Sequence, residues 1–221
     1  SKERMSWEVA KAAIDYILSH EDDMKEESVV WDFIGGEPFL EIDLIDRICD
    51  YLKTEMFRRN HHWFNSYRLS FSTNGINYGT EKVQRFIEKN RDHLSIGITI
   101  DGTKQKHDLN RIWKTKDMEH GVMPKAEEEK GSYDDVVKNI PLWLKQFPKA
   151  STKVTISSND IPYIKESVLH LYSLGIHEVN INCVFEDVWK EGDDKLFEYQ
   201  LTSLADTIID MDYYKDYACS F

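Results

Sequence analysis

Polar motifs that could hold a charged or hydroxyl-bearing ligand recur along this sequence where apolar segments end. Taken singly, each motif is more typical of a turn or a helix cap. Their recurrence in chain order favours a binding site, and the motifs lie at residues 35–38, 72–75, 101–102, 157–160 and 182.

Segments rich in β-forming residues precede these motifs and are predicted to be strands. Apolar residues with helical spacing lie between them, so a helix is predicted after each strand and one before the first, with Ser6 as its N-cap. Strands that alternate with helices indicate a parallel sheet, whose ligands bind at the carboxyl ends of the strands. The predicted strands are 29–34, 68–73, 94–100, 153–157 and 178–185, and the later helices are 81–90, 133–147, 163–174 and 194–210.

Each predicted strand has one apolar face and one smaller, more polar face. In the third strand, one face carries Leu94, Ile96 and Ile98, and the other carries Ser95, Gly97 and Thr99. A doubly wound sheet would be apolar on both faces, and a closed barrel would fill its centre with branched apolar residues. The pattern therefore predicts an α/β fold with parallel strands in a wide or incomplete barrel that holds a polar ligand or water. The alternative is that water reaches these polar residues at the strand ends.

The composition argues against several classes of protein. Hydrophobic residues make up 41% of the chain and charged residues 31%, which is typical of a soluble globular protein. The net charge of −12 argues against nucleic-acid binding, which requires a basic face. No apolar run is long enough to cross a membrane. Three scattered cysteines indicate a reducing cytoplasm, and the length predicts a single domain over residues 1–221.

Three of the motifs together resemble the radical SAM superfamily. They are GGEP at 35–38, STNG at 72–75, and ITIDGTKQKHDLNR at 98–111. The sequence is most similar to the peptide- and protein-modifying branch, which includes anaerobic sulfatase-maturating enzymes and SPASM-type peptide maturases. The resemblance covers roughly residues 29–190. It implies an α/β fold, a partial (βα) barrel with parallel strands that is open on one side, with five of about six βα units present in this chain. That expectation agrees with the polar strand faces.

The resemblance also implies roles for individual residues toward S-adenosylmethionine. The GGEP residues would meet the methionyl amino group, and the residues that follow the next two strands would face the ribose and the sulfonium. An arginine in HDLNR would pair with the methionyl carboxylate, and the last strand would hold the adenine edge. In chain order the implied cofactor-binding residues are Gly35, Gly36, Glu37, Pro38, Ser72, Asn74, Asp101, Arg111, Ser157, Asn182 and Val184.

The sequence departs from this family at the iron–sulfur cluster. The family binds a [4Fe–4S] cluster through a CxxxCxxC motif, whereas Cys49, Cys183 and Cys219 are far apart in this sequence. We predict that Cys49 and Cys183 are core thiols. The chain is interpreted as a segment of a longer enzyme, truncated at both ends, so that the strand at 29–34 has an unpaired edge. A naturally cluster-less relative is the alternative.

Two functions follow from this interpretation. In the first, the parent enzyme receives an electron from a reductant protein, cleaves S-adenosylmethionine reductively and abstracts hydrogen from a peptide or protein side chain. This segment alone is then inactive, because the cluster ligands are not in it. In the second, a degenerate barrel without a cluster binds a peptide or a nucleotide.

Other polar residues give weaker signals. His61 and His62 are predicted to be solvated rather than metal-binding, since no acidic or cysteine partner lies at a suitable spacing. His107 and Asp108 could form an acid–base pair or have a structural role. Trp113 and the acidic run 127–129 fall in a predicted long polar loop, 112–131, and are read as part of a solvated surface.

Overall fold

A computed structural model describes residues 4–20, 25–112 and 130–221 of the chain. Helices and strands alternate through these ranges. The helices are α1 (Trp7–Ser19), α2 (Ile42–Arg58), α3 (Glu81–Asn90), α4 (Lys104–Asn110), α5 (Tyr133–Val137), α6 (Ile140–Gln146), α7 (Ile164–Ser173) and α8 (Asp193–Asp210). The strands are β1 (Val29–Phe33), β2 (Tyr67–Thr73), β3 (Leu94–Ile98), β4 (Ser151–Ile156), β5 (Glu178–Cys183) and β6 (Ala218–Ser220). Within the described ranges, no helix has the length and apolar character needed to cross a bilayer.

The described strands lie in two sheets, with the orders β1-β2-β3 and β4-β5-β6. β1 pairs with β2 in parallel, and β5 pairs in parallel with both β4 and β6. The predicted α/β class with parallel strands is therefore confirmed. Among the described strands β1 is the end strand of its sheet, as predicted for residues 29–34.

Burial alternates along the strands as the sequence pattern predicts. In β2 the apolar Leu69 and Phe71 are buried, while Arg68 is exposed and Ser70 is half-buried. β3 and β4 show the same alternation, with Ile96 and Val154 on their buried faces. The alternation follows from strand geometry, in which successive side chains point to opposite faces. One face of each of these strands thus contributes to a core, and the other presents mainly polar side chains.

Two compact units are distinguished by their internal contacts. The first comprises Ser1–Thr73 and Asn77–Ile96, and the second comprises Asn74–Ile76 and Gly97–Phe221. In the first unit Phe33 stacks on Phe71 with ring centroids 4.7 Å apart. The core of the second unit includes the fully buried side chains Ile140, Trp143, Ile156, Val168 and Leu171. The prediction that 1–221 is one barrel domain stays a prediction.

Most predicted elements are present, with three differences. α4 was not predicted, and neither was the three-residue strand β6. The helix predicted over 133–147 is divided into α5 and α6. Pro141 stands in the first turn of α6, where its missing N–H costs nothing, and the side chain of Asn139 donates to the carbonyl of Gly75 at 2.8 Å. A new helix therefore begins at Ile140.

Candidate cofactor-binding site

In the first unit, the GGEP motif forms a turn that is fixed by its glutamate. Glu37 Oε1 accepts hydrogen bonds from Phe39 N at 3.0 Å and from Thr73 Oγ1 at 2.6 Å. Gly35 has a φ of +132°, which a residue with a Cβ rarely adopts. Both glycines are exposed, and a Cβ added to Gly36 would meet no atom within 4 Å. Pro38 opens the short 3₁₀ helix Pro38–Glu41. The turn thus holds an accessible backbone with open space beside it.

The STNG motif lies at the boundary between the units. Ser72 is half-buried near the end of β2, in the first unit. Asn74, in the second unit, accepts a hydrogen bond from Ile76 N through its Oδ1 at 3.0 Å, which shapes the turn after the strand. Gly75 has a φ of +76°, and an added Cβ there would lie 2.7 Å from a methyl of Ile98. The glycine is therefore required by both conformation and space.

A buried ion pair joins Asp101 and Arg111 in the second unit. Asp101 is 2% exposed and Arg111 is 30% exposed. Arg111 Nε donates to Asp101 Oδ2, and Arg111 Nη2 lies 3.3 Å from Oδ1, which also accepts from Thr155 N at 3.0 Å. Burial alone would raise the pKa of Asp101, but the hydrogen bond and charge of Arg111 hold it below its usual value. The carboxylate oxygens thus face protein donors, and the guanidinium is the partly exposed group.

His107, in α4, is hydrogen-bonded to the backbone of Asp101. Its Nδ1 accepts a hydrogen bond from Asp101 N at 3.2 Å, so the proton of the neutral ring is on Nε2, which donates to Ser132 Oγ at 3.0 Å. Burial lowers the pKa of His107 to about 4. Asp108 accepts from Tyr133 N at 2.9 Å. Of the two alternatives for these adjacent residues, the contacts support the structural one.

Stability should fall in acid because His107 is buried in its neutral form. With a folded pKa of about 4 and an unfolded pKa near 6.5, the unfolded chain binds a proton first as the pH drops. The contribution is complete above pH 6.5 and is lost between pH 6.5 and 4, amounting to about 3 kcal/mol. Urea unfolding measured across this range should be less pH-dependent in His107→Gln than in the wild type. Equal slopes in the two proteins would contradict this assignment.

The later motifs meet at the carboxyl ends of β4 and β5. Thr155, which contacts Asp101, lies opposite Asn182 in the parallel register. Ser157 follows β4 and donates through its hydroxyl to Asp160 Oδ2 at 2.7 Å. Asn182 is exposed, and Val184 N donates to the Ile156 carbonyl at 3.0 Å. Asp101, Ser157, Asn182 and Val184 are thus brought to one edge of the second sheet, while their roles toward a cofactor stay predictions.

The cysteines of the chain do not fit an iron–sulfur cluster. Cys49 is buried in α2, and burial raises its pKa to about 12. The prediction that Cys183 is a core thiol is wrong, because the burial pattern ends with β5 and Cys183 is exposed. Cys219 lies opposite Val179, four residues before Cys183, so the Cα positions of the two cysteines are offset by about 13 Å along the strand direction. No group of three or more metal-ligating side chains was found among the described residues.

Two other predictions concern residues away from this edge. His61 is 2% exposed and its Nδ1 accepts from Trp63 N at 3.3 Å, so the prediction that it is solvated is wrong. His62 Nε2 lies 3.0 Å from the carbonyl of Glu26. Trp113 and the acidic run 127–129 lie outside the described residues.

Sequence reasoning missed a cleft and a buried lysine in the second unit. The cleft has a volume of about 540 Å³, within the range of ligand pockets, and Ile161, Cys183, Trp189 and Phe197 contribute to its lining. Lys106 is 1% exposed, and its Nζ donates to the Thr155 carbonyl at 2.7 Å. Neither feature has a clear sequence signal, since Trp189 stands in a charged stretch and lysine is rarely fully buried.

The fold is similar to that of several solved structures. Structures of anSMEcpe, an anaerobic sulfatase-maturating radical SAM enzyme, match the whole of this chain with a TM-score of 0.70. One contains bound AdoMet, at 16% identity over 55% of that chain, and another contains AdoMet and the Kp18Cys peptide, at 16% identity over 56% of that chain. The chain therefore shares the fold of these anSMEcpe structures.

Sequence comparison adds one curated relative. The chain is 28% identical over 178 residues to an uncharacterized protein of Methanocaldococcus jannaschii, a match that covers 80% of this chain and 52% of that protein. No family model matches the chain. The chain spans about half the length of the relative and of the solved structures that it matches.

Proposed function

We propose that this chain is the core of a radical S-adenosylmethionine enzyme that abstracts hydrogen from a peptide or protein side chain, in a partial (βα) barrel. The observation that carries the proposal is the match of the whole chain to a structure with bound AdoMet and peptide. The sequence motifs that resemble this family support it independently. The proposed substrate is a peptide or protein, and the proposed setting is the cytoplasm, with a reductant protein as electron donor.

Arg111 is the residue best placed to bind the methionyl carboxylate. Its guanidinium is oriented by Asp101 through Nε and Nη2, and Nη1 donates no hydrogen bond to any of the described residues. A guanidinium with free N–H groups suits a carboxylate because the hydrogen bonds are charge-assisted. When bound, S-adenosylmethionine supplies the 5′-deoxyadenosyl group that performs hydrogen abstraction in this class of enzyme.

Of the other assigned residues, some are proposed to contact the cofactor and some to support those that do. The backbone carbonyls of Gly35 and Gly36, which have open space beside them, would accept hydrogen bonds from the methionyl ammonium. Asn182 is exposed at the end of β5 and would bind the adenine edge through its amide, beside Val184. Because Asp101 already faces Arg111 and Thr155, its proposed contribution is to orient Arg111. Ser157 would stabilise the end of β4 through Asp160.

The positions of the cysteines favour a second candidate function. Since the thiols of the second unit do not converge, no step through a [4Fe–4S] cluster is assigned to this chain. The first proposal therefore places the cluster ligands in another part of the parent protein, and this segment alone is inactive. The alternative is a cluster-less module that binds a peptide or a nucleotide. Binding of ATP as tightly as S-adenosylmethionine would favour that alternative.

Substitution of Arg111 tests the proposed function. Arg111→Gln removes the charge opposite the methionyl carboxylate, and we expect S-adenosylmethionine to bind roughly tenfold more weakly, the effect of losing a charged hydrogen bond. Isothermal titration calorimetry measures the affinity. Lys104→Gln, on the exposed side of α4, is the control and should bind like the wild type. Absence of binding to the wild type, or equal affinity of Arg111→Gln, would refute the assignment.

A further inference from the structure

A buried lysine is connected to the candidate carboxylate-binding arginine through hydrogen bonds. Lys106 is 1% exposed, although it belongs to the short polar helix α4. Its Nζ donates to the Thr155 carbonyl at 2.7 Å and lies 3.5 Å from Asp160 Oδ1. Burying an ammonium group is costly unless it is paired and hydrogen-bonded. These contacts therefore have to compensate for the loss of hydration.

Both backbone polar groups of Thr155, its N–H and its carbonyl, are hydrogen-bonded to charged side chains. Asp101 accepts from its N–H at 3.0 Å, and Lys106 donates to its carbonyl at 2.7 Å. Asp101 is in turn the partner of Arg111. A chain of contacts thus runs from Lys106 through Thr155 and Asp101 to Arg111.

The charges in this network are balanced. The two cations Lys106 and Arg111 accompany the two carboxylates Asp101 and Asp160. Both aspartates are at most 3% exposed. Asp160 is further held by Asn110 at 2.9 Å and by Ser157. Removal of the lysine charge would leave one cation for two buried carboxylates and would deprive the Thr155 carbonyl of its donor. Asp101 would then be held less firmly, and so would its partner Arg111.

We propose that Lys106 is a positioning residue that orients Arg111 toward the carboxylate of S-adenosylmethionine, through Thr155 and Asp101. The proposal rests on the proposed function, since it assumes that Arg111 meets this carboxylate. Orientation matters because a pre-organised side chain loses less conformational freedom on binding. The positive charge of Lys106 also helps Arg111 to keep the pKa of Asp101 low, so that the carboxylate stays ionised.

A double-mutant cycle separates positioning from a general structural effect. Lys106→Met keeps the length and removes the charge, and we expect S-adenosylmethionine to bind roughly tenfold more weakly, as for the loss of a charged hydrogen bond. In an Arg111→Gln background the same substitution should have no further effect, because the residue it positions is absent. Lys104→Met is the matched control on the exposed side of the same helix. Calorimetric titration of the whole chain gives all the affinities.

Two outcomes of the cycle would overturn the proposal. One is an unchanged affinity in Lys106→Met, and the other is an equal loss in both backgrounds. If Lys106→Met does not fold, Lys106→Gln takes its place, since it also removes the charge. The same loss of affinity is expected for it, and the same two outcomes would overturn the proposal.

A second measurement is independent of the cofactor. The Nε–H of Arg111, observed by NMR in arginine-labelled protein, should exchange slowly in the wild type and at least tenfold faster in the lysine variant, in keeping with a lost charge-assisted hydrogen bond. Unchanged exchange would overturn the proposal. Failure of the wild type to bind S-adenosylmethionine would refute the proposed function, while the NMR result would still show whether Lys106 holds Arg111.

Discussion

Replacement of Asp101 by alanine is expected to lower the free energy of unfolding by about 3 kcal/mol, the cost of breaking a buried ion pair. The substitution leaves Thr155 N without its acceptor Oδ1 and Arg111 Nε without its acceptor Oδ2, and it removes a negative charge near buried Lys106. The figure is at the low end for such pairs because Arg111 is 30% exposed and can turn toward water. Urea unfolding near pH 7 measures the change.

Two matched variants show whether the cost arises from this pair. Asp101→Asn retains an acceptor oxygen but loses the charge, and it should cost about 1–2 kcal/mol. Asp134→Ala removes an exposed carboxylate that pairs with Lys104, and it should change stability by less than about 1 kcal/mol. If Asp101→Ala is no more destabilising than Asp134→Ala, the network is not coupled to folding, and the positioning role of Lys106 loses its basis.

The sequence predicted the strands well because their burial alternates. A strand buried on one face shows a period of two in its apolar residues, and β2, β3 and β4 all retain this pattern in the structure. The pattern weakens at strand ends, where the chain leaves the sheet. Cys183 was therefore placed in the core by the alternation, although it is exposed at the end of β5.

Helix α4 shows why apolar periodicity fails for some elements. Its seven residues, KQKHDLN, contain one leucine, and that leucine is exposed. The helix is held instead by two polar residues, because Lys106 and His107 are buried through hydrogen bonds to Thr155 and Ser132. A sequence pattern that counts apolar residues cannot detect a buried face of this kind.

The candidate site was predictable in its location but not in its contacts. Polar residues after consecutive parallel strands fall at one edge, so Asp101, Ser157 and Asn182 could be grouped from the sequence. The hydrogen-bond partners of Asp101 could not be predicted from the sequence. Thr155 is 54 residues away along the chain and donates to Asp101 through its backbone N–H. Every residue except proline has such a donor, so the contact leaves no signal in the sequence.

Anaerobic reconstitution of this chain with iron and sulfide is expected to yield no [4Fe–4S] cluster and no 5′-deoxyadenosine. A cluster of this type needs thiolates that converge on one point, whereas Cys183 and Cys219 are separated by four residues of register in the second unit. Burial also raises the pKa of Cys219 to about 12, so that its thiol stays protonated. Absorbance of the thiolate–iron band and chromatography of the products measure the two outcomes. A stoichiometric cluster with product would show that the chain is a complete catalyst and would require a new assignment for Cys49, Cys183 and Cys219.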